Sequence, residues 1–311
     1  MSDKNPIIAI TGGSGAGTTT VTKVFSDIFR REKIKACFLE GDSFRRFNYL
    51  EMEKLTSEKQ RDGEGISHFG PDANLFEELE MQLKSYSESG RCQKRHYITK
   101  DSATGLGKFG TFTQWQDISD DTEVLVYEGF HGGVVANKWT RRKMSDSHNP
   151  KVQLERRKTA DNKGVDVAQY IDLLIGIVPV INLEWIQKIH RDTNIRGISR
   201  ENVTNTIIQR MQDYIHFVVP QFSYSDINFQ RIPLVDTSNP FITRDIPHAD
   251  ESMYVIRFRE PQYYDMIYFL DKVADSYLSR PNTLVIPGGK LQLAMETICT
   301  PIIRKLCQSE I

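Results

Sequence analysis

Cysteine, net charge and long apolar runs are all scarce in this chain. Cysteine occurs only at 37, 92, 299 and 307 of 311 residues, with no Cys-x-x-Cys pair and no histidine at zinc-finger spacing. That excludes a disulfide scaffold and a thiolate zinc module, and it predicts reduced thiols in a cytoplasmic setting. Basic side chains number 40 against 41 acidic ones, a formal charge of -1. Such a chain offers no global attraction to nucleic acid or to an anionic membrane, so neither is expected as a partner, and any anionic ligand must be met by locally clustered charge. The longest apolar region, Ile171 to Ile181, is interrupted by Asp172 and Pro179 and falls short of the roughly 20 residues of a membrane-spanning helix. Met1 to Pro6 is polar and the run Ile7 to Ile10 is shorter than a signal-peptide core, so no targeting segment is expected. Gly (20) and Pro (12) are too few, and hydrophobic residues at 39% too many, for a disordered or collagen-like chain.

What is present is an alternation of short apolar runs with helical periodicity. Ile7 to Ile10 leads into the glycine-rich segment Thr11 to Thr20, after which Val21, Val24, Phe25, Ile28 and Phe29 recur at helical spacing. Further strands are predicted over Lys35–Leu39, Glu123–Tyr127 and Leu173–Val178. The first two run straight into Glu40-Gly-Asp-Ser and Glu128-Gly-Phe-His. Asp72 is expected to cap a helix with Leu75, Phe76, Leu79, Leu83 and Tyr86 on one face, and Ser199 another with Val203, Ile207, Ile208, Met211 and Ile215. Strand-like pieces at Arg231–Val235 and Met253–Phe258 and a helix around Leu291–Leu306 complete the pattern, read as an extension of the same sheet. The fold class is therefore α/β, a largely parallel mixed sheet covered on both sides, with ligands beyond the carboxyl ends of its strands. The stretch from 138 to 164 carries nine Lys or Arg against three acids and no periodic apolar face, and reads as a solvated basic insertion loop.

Gly12-x-x-x-x-Gly17-Thr18-Thr19 matches the phosphate-loop template at every fixed position but one, because Thr18 stands where the lysine belongs. Gly12, Gly13, Ser14, Gly15, Ala16, Gly17, Thr18, Thr19 and Thr20 would turn backbone N–H groups onto ATP phosphates, with the Thr19 hydroxyl on Mg²⁺. Phosphoryl transfer also needs cationic side chains near the γ-phosphate, so another Lys or Arg must supply them. Lys188, Arg191, Asp192 and Arg196 stand at spacings that let several face one anion. Glu128 ends an apolar strand, where an acid can hold Mg²⁺, and Asp42 ends another, where a carboxylate can accept the proton of an attacking hydroxyl.

Six blocks, Gly12–Thr20, Glu40–Phe44, Ser67–Asn74, Tyr127–Gly132, Val180–Asp192 and Val235–Phe241, resemble the bacterial type of phosphoribulokinase. The similarity runs from Pro6 to about Leu306, and that family also lacks the phosphate-loop lysine. The resemblance implies one P-loop kinase domain over 1–311, a three-layer P-loop NTPase sandwich with C-terminal extension strands. It further implies Mg-ATP as donor and ribulose 5-phosphate as acceptor, giving the 1,5-bisphosphate. Position by position, it makes Asp42 the general base, Glu128 the metal-holding acid, and Asp192 a catalytic or metal-binding acid. Lys188 and Arg191 match cations of transfer, and Arg196 and Tyr97 match positions near the sugar phosphate. It also implies a homo-octamer with NADH and AMP as effectors, with Arg31, Arg210, Arg257 and Arg280 as effector candidates.

The chain departs from the family pattern after Asp42. Where His, Arg and a further basic residue are expected, it has Arg45, Tyr49 and Glu53. Arg45 is then the cation left for a sugar phosphate, with Arg46 or Lys54 as a second. Two other readings compete at this stage: a uridine-kinase-like nucleoside kinase, which shares the strand-end Asp and takes an uncharged acceptor, and a nucleotide-sensing regulatory protein without turnover.

Overall fold

The computed structural model describes residues 5–13, 18–61, 65–100, 102–134, 164–242 and 245–307, with the backbone alone at 18, 19 and 179. The strands are β1 (Ile7–Gly12), β2 (Ala36–Glu40), β3 (Gln93–Lys94), β4 (Gln116–Asp117), β5 (Val124–Gly129), β6 (Leu173–Pro179), β7 (Ile227–Pro233), β8 (Ser252–Phe258), β9 (Tyr277–Arg280) and β10 (Thr283–Pro287). The helices are α1 (Thr18–Glu32), α2 (Tyr49–Arg61), α3 (Phe76–Ser89), α4 (Ala103–Leu106), α5 (Ile181–Asn194), α6 (Arg200–Asp213), α7 (Met266–Lys272) and α8 (Leu291–Cys307). Eight strands form one sheet in the order β2-β5-β1-β6-β7-β8-β10-β9, and β3 pairs with β4 separately. The pairs β2/β5 and β6/β7 are parallel, whereas β7/β8, β8/β10 and β10/β9 are antiparallel. A mixed sheet extended by C-terminal strands is the expected architecture, and the antiparallel direction of those strands is what the structure adds.

Central strands of such a sheet are buried on both faces, so they read as unbroken apolar runs. β1 is buried along its whole length, and Val21, Val24, Phe25, Ile28 and Phe29 of α1 are buried as their periodicity predicts. By contact density the chain divides into two compact units. One comprises Met1–Ala9, Ala36–Asp172 and Arg210–Tyr224, and the other Ile10–Lys35, Leu173–Gln209 and Ser225–Ile311. The first has Leu79, Leu83, Tyr86 and Tyr127 in its core. The second buries Phe25, Ile28, Phe229, Phe258 and Ile298.

Several expectations need correction. Asp72 does not cap α3: it sits in the 3₁₀ turn Pro71–Ala73, and α3 starts at Phe76 without a side-chain cap. Asn74 orders that segment instead, its amide donating to the carbonyls of His68 (3.0 Å) and Gly70 (2.7 Å). Ser199 does cap α6, its Oγ accepting from the Asn202 N–H at 3.3 Å, but Ile208 and Ile215 are exposed while Val203 and Ile207 are buried. β7 begins at Ile227, ahead of the expected Arg231. Its start is disguised by Asn228, whose Oδ1 accepts from Ser225 Oγ at 2.5 Å and packs where a side chain on Gly176 of β6 would stand. Helix α2 carries no legible apolar stripe because it buries only Met52, against Ile66 and Ala73. Its start is set by a reciprocal cap in which Asn48 N–H donates to Glu51 and Glu51 N–H to Asn48 Oδ1.

Candidate active site

The first unit carries the strand-end carboxylates. β2 and β5 run parallel with Glu40 opposite Glu128, and a glycine follows each of these acids. A Cβ on Gly41 would stand 2.9 Å from Gly129 Cα and 2.8 Å from the Tyr127 hydroxyl, and one on Gly129 would meet the same groups. Only glycines permit this approach of the two chains. The 3₁₀ turn Gly41–Phe44 that follows carries Asp42, whose Oδ1 lies 2.6 Å from Arg45 Nη2. Arg45 also stacks over the Tyr97 ring at 4.8 Å, and burial raises the Tyr97 pKa, which keeps its hydroxyl protonated.

Arg95 fixes this turn from outside. Its Nε donates to Ser43 O (2.7 Å), its Nη2 to Arg45 O (2.9 Å), and its guanidinium lies over Phe112 (4.0 Å) and Trp115 (4.7 Å). A planar fork that bonds two carbonyls while stacking on aromatic faces is an arginine property that lysine lacks. Sequence reasoning missed Arg95 because its partners are backbone atoms and distant rings. Two histidines lie nearby. Burial, aided by the charge of Arg45 and opposed by a bond to Phe69 O, pushes the His131 pKa down to about 3. His68 is held well below its usual value, first by burial and then by the charges of Arg45 and Arg210. Both rings are thus neutral, and His68 Nδ1 and Ser43 Oγ are buried with no hydrogen-bond partner among the described residues. Arg46, by contrast, is engaged with protein, donating to Asn74 O at 3.0 Å.

The second unit carries the phosphate loop and the cations. Of the loop, Gly12, Gly13 and Thr20 are described. Ser14, Gly15, Ala16 and Gly17 lie outside the described residues, as do the side chains of Thr18 and Thr19. Gly13 packs so closely on the carboxylate of Glu184, in the first turn of α5, that a Cβ there would overlap Glu184 Oε1. Lys188 and Asp192 follow Glu184 at successive four-residue steps, so all three share a helix face that starts at the phosphate loop. Asp192 is buried and accepts from Lys188 Nζ (2.6 Å), Arg191 Nε (3.0 Å) and Arg196 Nη1 (3.0 Å). Burial works to raise its pKa, but the Lys188 hydrogen bond and the charges of Lys188 and Arg191 outweigh it and hold the carboxyl below its usual range. The four sequence-predicted residues of this stretch are therefore one cluster, and Glu184 is the member that periodicity alone did not single out. Trp185 of α5 stacks on Phe241 (5.2 Å), which brings the 180–192 and 235–241 blocks together.

Among the described residues no group of three or more His, Cys, Asp or Glu is placed to hold a metal. Of the effector candidates, Arg31 pairs with Glu296 (2.8 Å) and Glu32 (3.5 Å), joining α1 to α8. Arg257 and Arg280 flank Thr283 in the sheet register. Arg210 belongs to the other unit. The basic stretch from 138 lies outside the described residues up to Lys163. No helix among the described residues is long and apolar enough to cross a membrane.

Comparison with known proteins gives matches over nearly the whole chain. A family model described as Phosphoribulokinase / Uridine kinase family matches residues 7–238. The chromosomal phosphoribulokinase of Cupriavidus necator is 50% identical over 311 residues, covering 99% of this chain and 98% of that protein. The phosphoribulokinase of Nitrobacter vulgaris is 48% identical with the same coverage. Among solved structures, phosphoribulokinase from Rhodobacter spheroides superposes with a TM-score of 0.84 at 45% identity, covering 99% of each chain.

Proposed function

The chain belongs to the phosphoribulokinase/uridine kinase family, and from that premise we propose that it transfers the γ-phosphoryl group of ATP to ribulose 5-phosphate, giving the 1,5-bisphosphate and ADP. Full-length relatives named phosphoribulokinase support this acceptor over a nucleoside and support turnover over nucleotide sensing. The observation that carries the mechanism is the α5 face on which Glu184 meets Gly13 and Lys188 and Asp192 follow. It supplies cations along a helix that begins at the phosphate loop, where Thr18 supplies none.

Asp42 accepts the proton of the primary hydroxyl as its oxygen bonds to the γ-phosphorus and the bond to the β–γ bridging oxygen breaks. Lys188, Arg191 and Arg196 neutralise the equatorial charge of the transferring group. Asp192, satisfied by the same three cations, holds them in place. Its bonding favours that part over direct metal ligation, since three cations surround it. Glu128, with the hydroxyl of Thr19, would hold Mg²⁺, which offsets phosphate charge when bound. Arg45 over Tyr97 receives the acceptor's phosphate, and Arg46 braces the neighbouring turn. The family resemblance further supports a cytoplasmic homo-octamer, a single kinase domain over 1–311, and NADH and AMP as effectors acting through Arg31, Arg210, Arg257 and Arg280.

A coupled ADP-release assay tests the reading. Turnover with ribulose 5-phosphate alone is expected. Turnover with uridine alone would make the protein a nucleoside kinase, and none with either would make it a sensor. Asp42→Asn is expected to lower kcat by about 10³-fold while nucleotide binding persists, since a positioned base contributes roughly 10²–10⁴-fold. Turnover like the parent's would remove Asp42 from the mechanism.

A further inference from the structure

The general base and the phosphate-binding cation of this chain are bonded to each other. Asp42 Oδ1 and Arg45 Nη2 stand 2.6 Å apart, and the Arg45 side chain is only 17% exposed against 45% for Asp42. Tyr97 holds the guanidinium by its ring face, and the carbonyl of Arg45 is clamped by Arg95. Among the described residues no other carboxylate pairs with Arg45 within ion-pair distance. The neighbouring His68 and His131 are neutral and do not compete for an anion. His68 Nδ1 and Ser43 Oγ lie buried in the same unit with no partner among the described residues, polar atoms that a bound polar ligand would satisfy. The positions where the family pattern places further cations hold Tyr49 and Glu53. Tyr49 is instead stacked on Phe109 at 5.3 Å.

We propose that Arg45 is a phosphate-operated latch on Asp42: the acceptor's own phosphate draws the guanidinium off the carboxylate and thereby opens the base to the hydroxyl. The inference rests on the acceptor assigned above. Without a phosphate dianion, Oδ1 of Asp42 is occupied by a guanidinium hydrogen and cannot receive a hydroxyl proton along that direction. A dianion is the stronger partner for the planar fork, so its arrival exchanges one charge-assisted pair for another. Two consequences separate this latch from a simple binding role. Phosphate on the acceptor raises kcat and not merely affinity. And because coupling is reciprocal, removing the carboxylate must strengthen phosphate binding.

The test uses D-ribulose, which lacks the phosphate, with and without phosphite dianion. In the parent enzyme, phosphite is expected to raise turnover of D-ribulose about tenfold or more. In Arg45→Met the stimulation is expected to vanish and the unstimulated rate to rise about two- to fivefold, the scale of a half-exposed ion pair. In the same variant KM for ribulose 5-phosphate should rise about 10- to 100-fold, the scale of a charged hydrogen bond. Asp42→Asn supplies a readout independent of activity: its Kd for ribulose 5-phosphate, by calorimetry, should fall about two- to fivefold below the parent's. Phosphite without effect on the parent, stimulation surviving in Arg45→Met, or weaker acceptor binding in Asp42→Asn would each overturn the latch. No turnover of ribulose 5-phosphate by the parent would overturn the assigned function itself. Should Arg45→Met not fold, Arg45→Lys and the Asp42→Asn calorimetry decide the matter, with stimulation at least halved expected for the lysine and full stimulation counting against the latch.

Discussion

Replacing Asp192 with asparagine removes one negative charge from beneath three cations and leaves the volume almost unchanged. The carboxylate is 4% exposed, whereas its partners Lys188, Arg191 and Arg196 are 24%, 28% and 52% exposed. Breaking a fully buried pair costs about 3–5 kcal/mol and an exposed one below about 1 kcal/mol. Water already screens the cations, so a loss of about 2–4 kcal/mol is expected for the cluster. An unfolding entropy of about 2.1 cal/mol/K per residue over 311 residues converts this to a fall in Tm of about 3–6 °C. The linkage has a defined sign. The Asp192 pKa is lowered on folding, so its contribution is present in full above the unfolded carboxyl value and fades as pH falls below about 4. Calorimetric melts of parent and Asp192→Asn should therefore differ by a constant gap from pH 6 to 8 that narrows on acidification. In the coupled assay kcat should fall about 10²-fold as Lys188 and the arginines lose their anchor. The half-saturating Mg²⁺ concentration should stay the same. Equal melting temperatures at pH 7, or a gap that persists below pH 3, would refute the argument. A tenfold shift in the Mg²⁺ requirement would instead make Asp192 a metal ligand.

Two further predictions address the first unit. Arg95→Met should destabilise by about 2–3 kcal/mol in urea unfolding, because the carbonyls of Ser43 and Arg45 lose charged donors. It should also lower kcat/KM for ribulose 5-phosphate, and Arg95→Lys should not restore it; full rescue by lysine would show that charge alone matters there. His131 is buried, with its pKa pushed down to about 3, so the unfolded chain takes up a proton that the folded one refuses between pH 6.5 and 3. Stability is thus complete above pH 6.5 and falls on acidification by up to about 1.4 kcal/mol per pH unit. His131→Asn should flatten the urea-midpoint profile over that window, and an unchanged slope would mean that the ring is protonated in the fold.

Much of the fold was legible because its central strands are apolar on both faces and end in polar residues at the same edge. β1, β5 and β6 could be read this way, the edge strand β2 from its apolar run alone, and so could α1, whose five apolar residues all turn inward. The elements that escaped notice lack such a contrast. β7 opens around a buried asparagine satisfied by a serine in the adjoining loop. Helix α2 buries a single methionine. The edge strand β9 is exposed along its length, and an element without a buried face leaves no periodicity to read.

The site divides in the same manner. Which residues carry charge or glycine at the strand ends, and that a lysine is missing from the phosphate loop, is written in the order of residues, because chemistry at a strand end needs only a local run and a turn. Sequence spacing also set Lys188 and Asp192 on one helix face. That Arg45 pairs with Asp42, that Asp192 gathers three cations to itself, and that Arg95 clamps the turn through two carbonyls were decided only in three dimensions. Only the Arg95 clamp joins groups far apart in the chain, 52 and 50 residues from its two carbonyls; the other two are local in sequence, yet which neighbour a side chain bonds follows from packing and desolvation, neither of which a linear pattern contains.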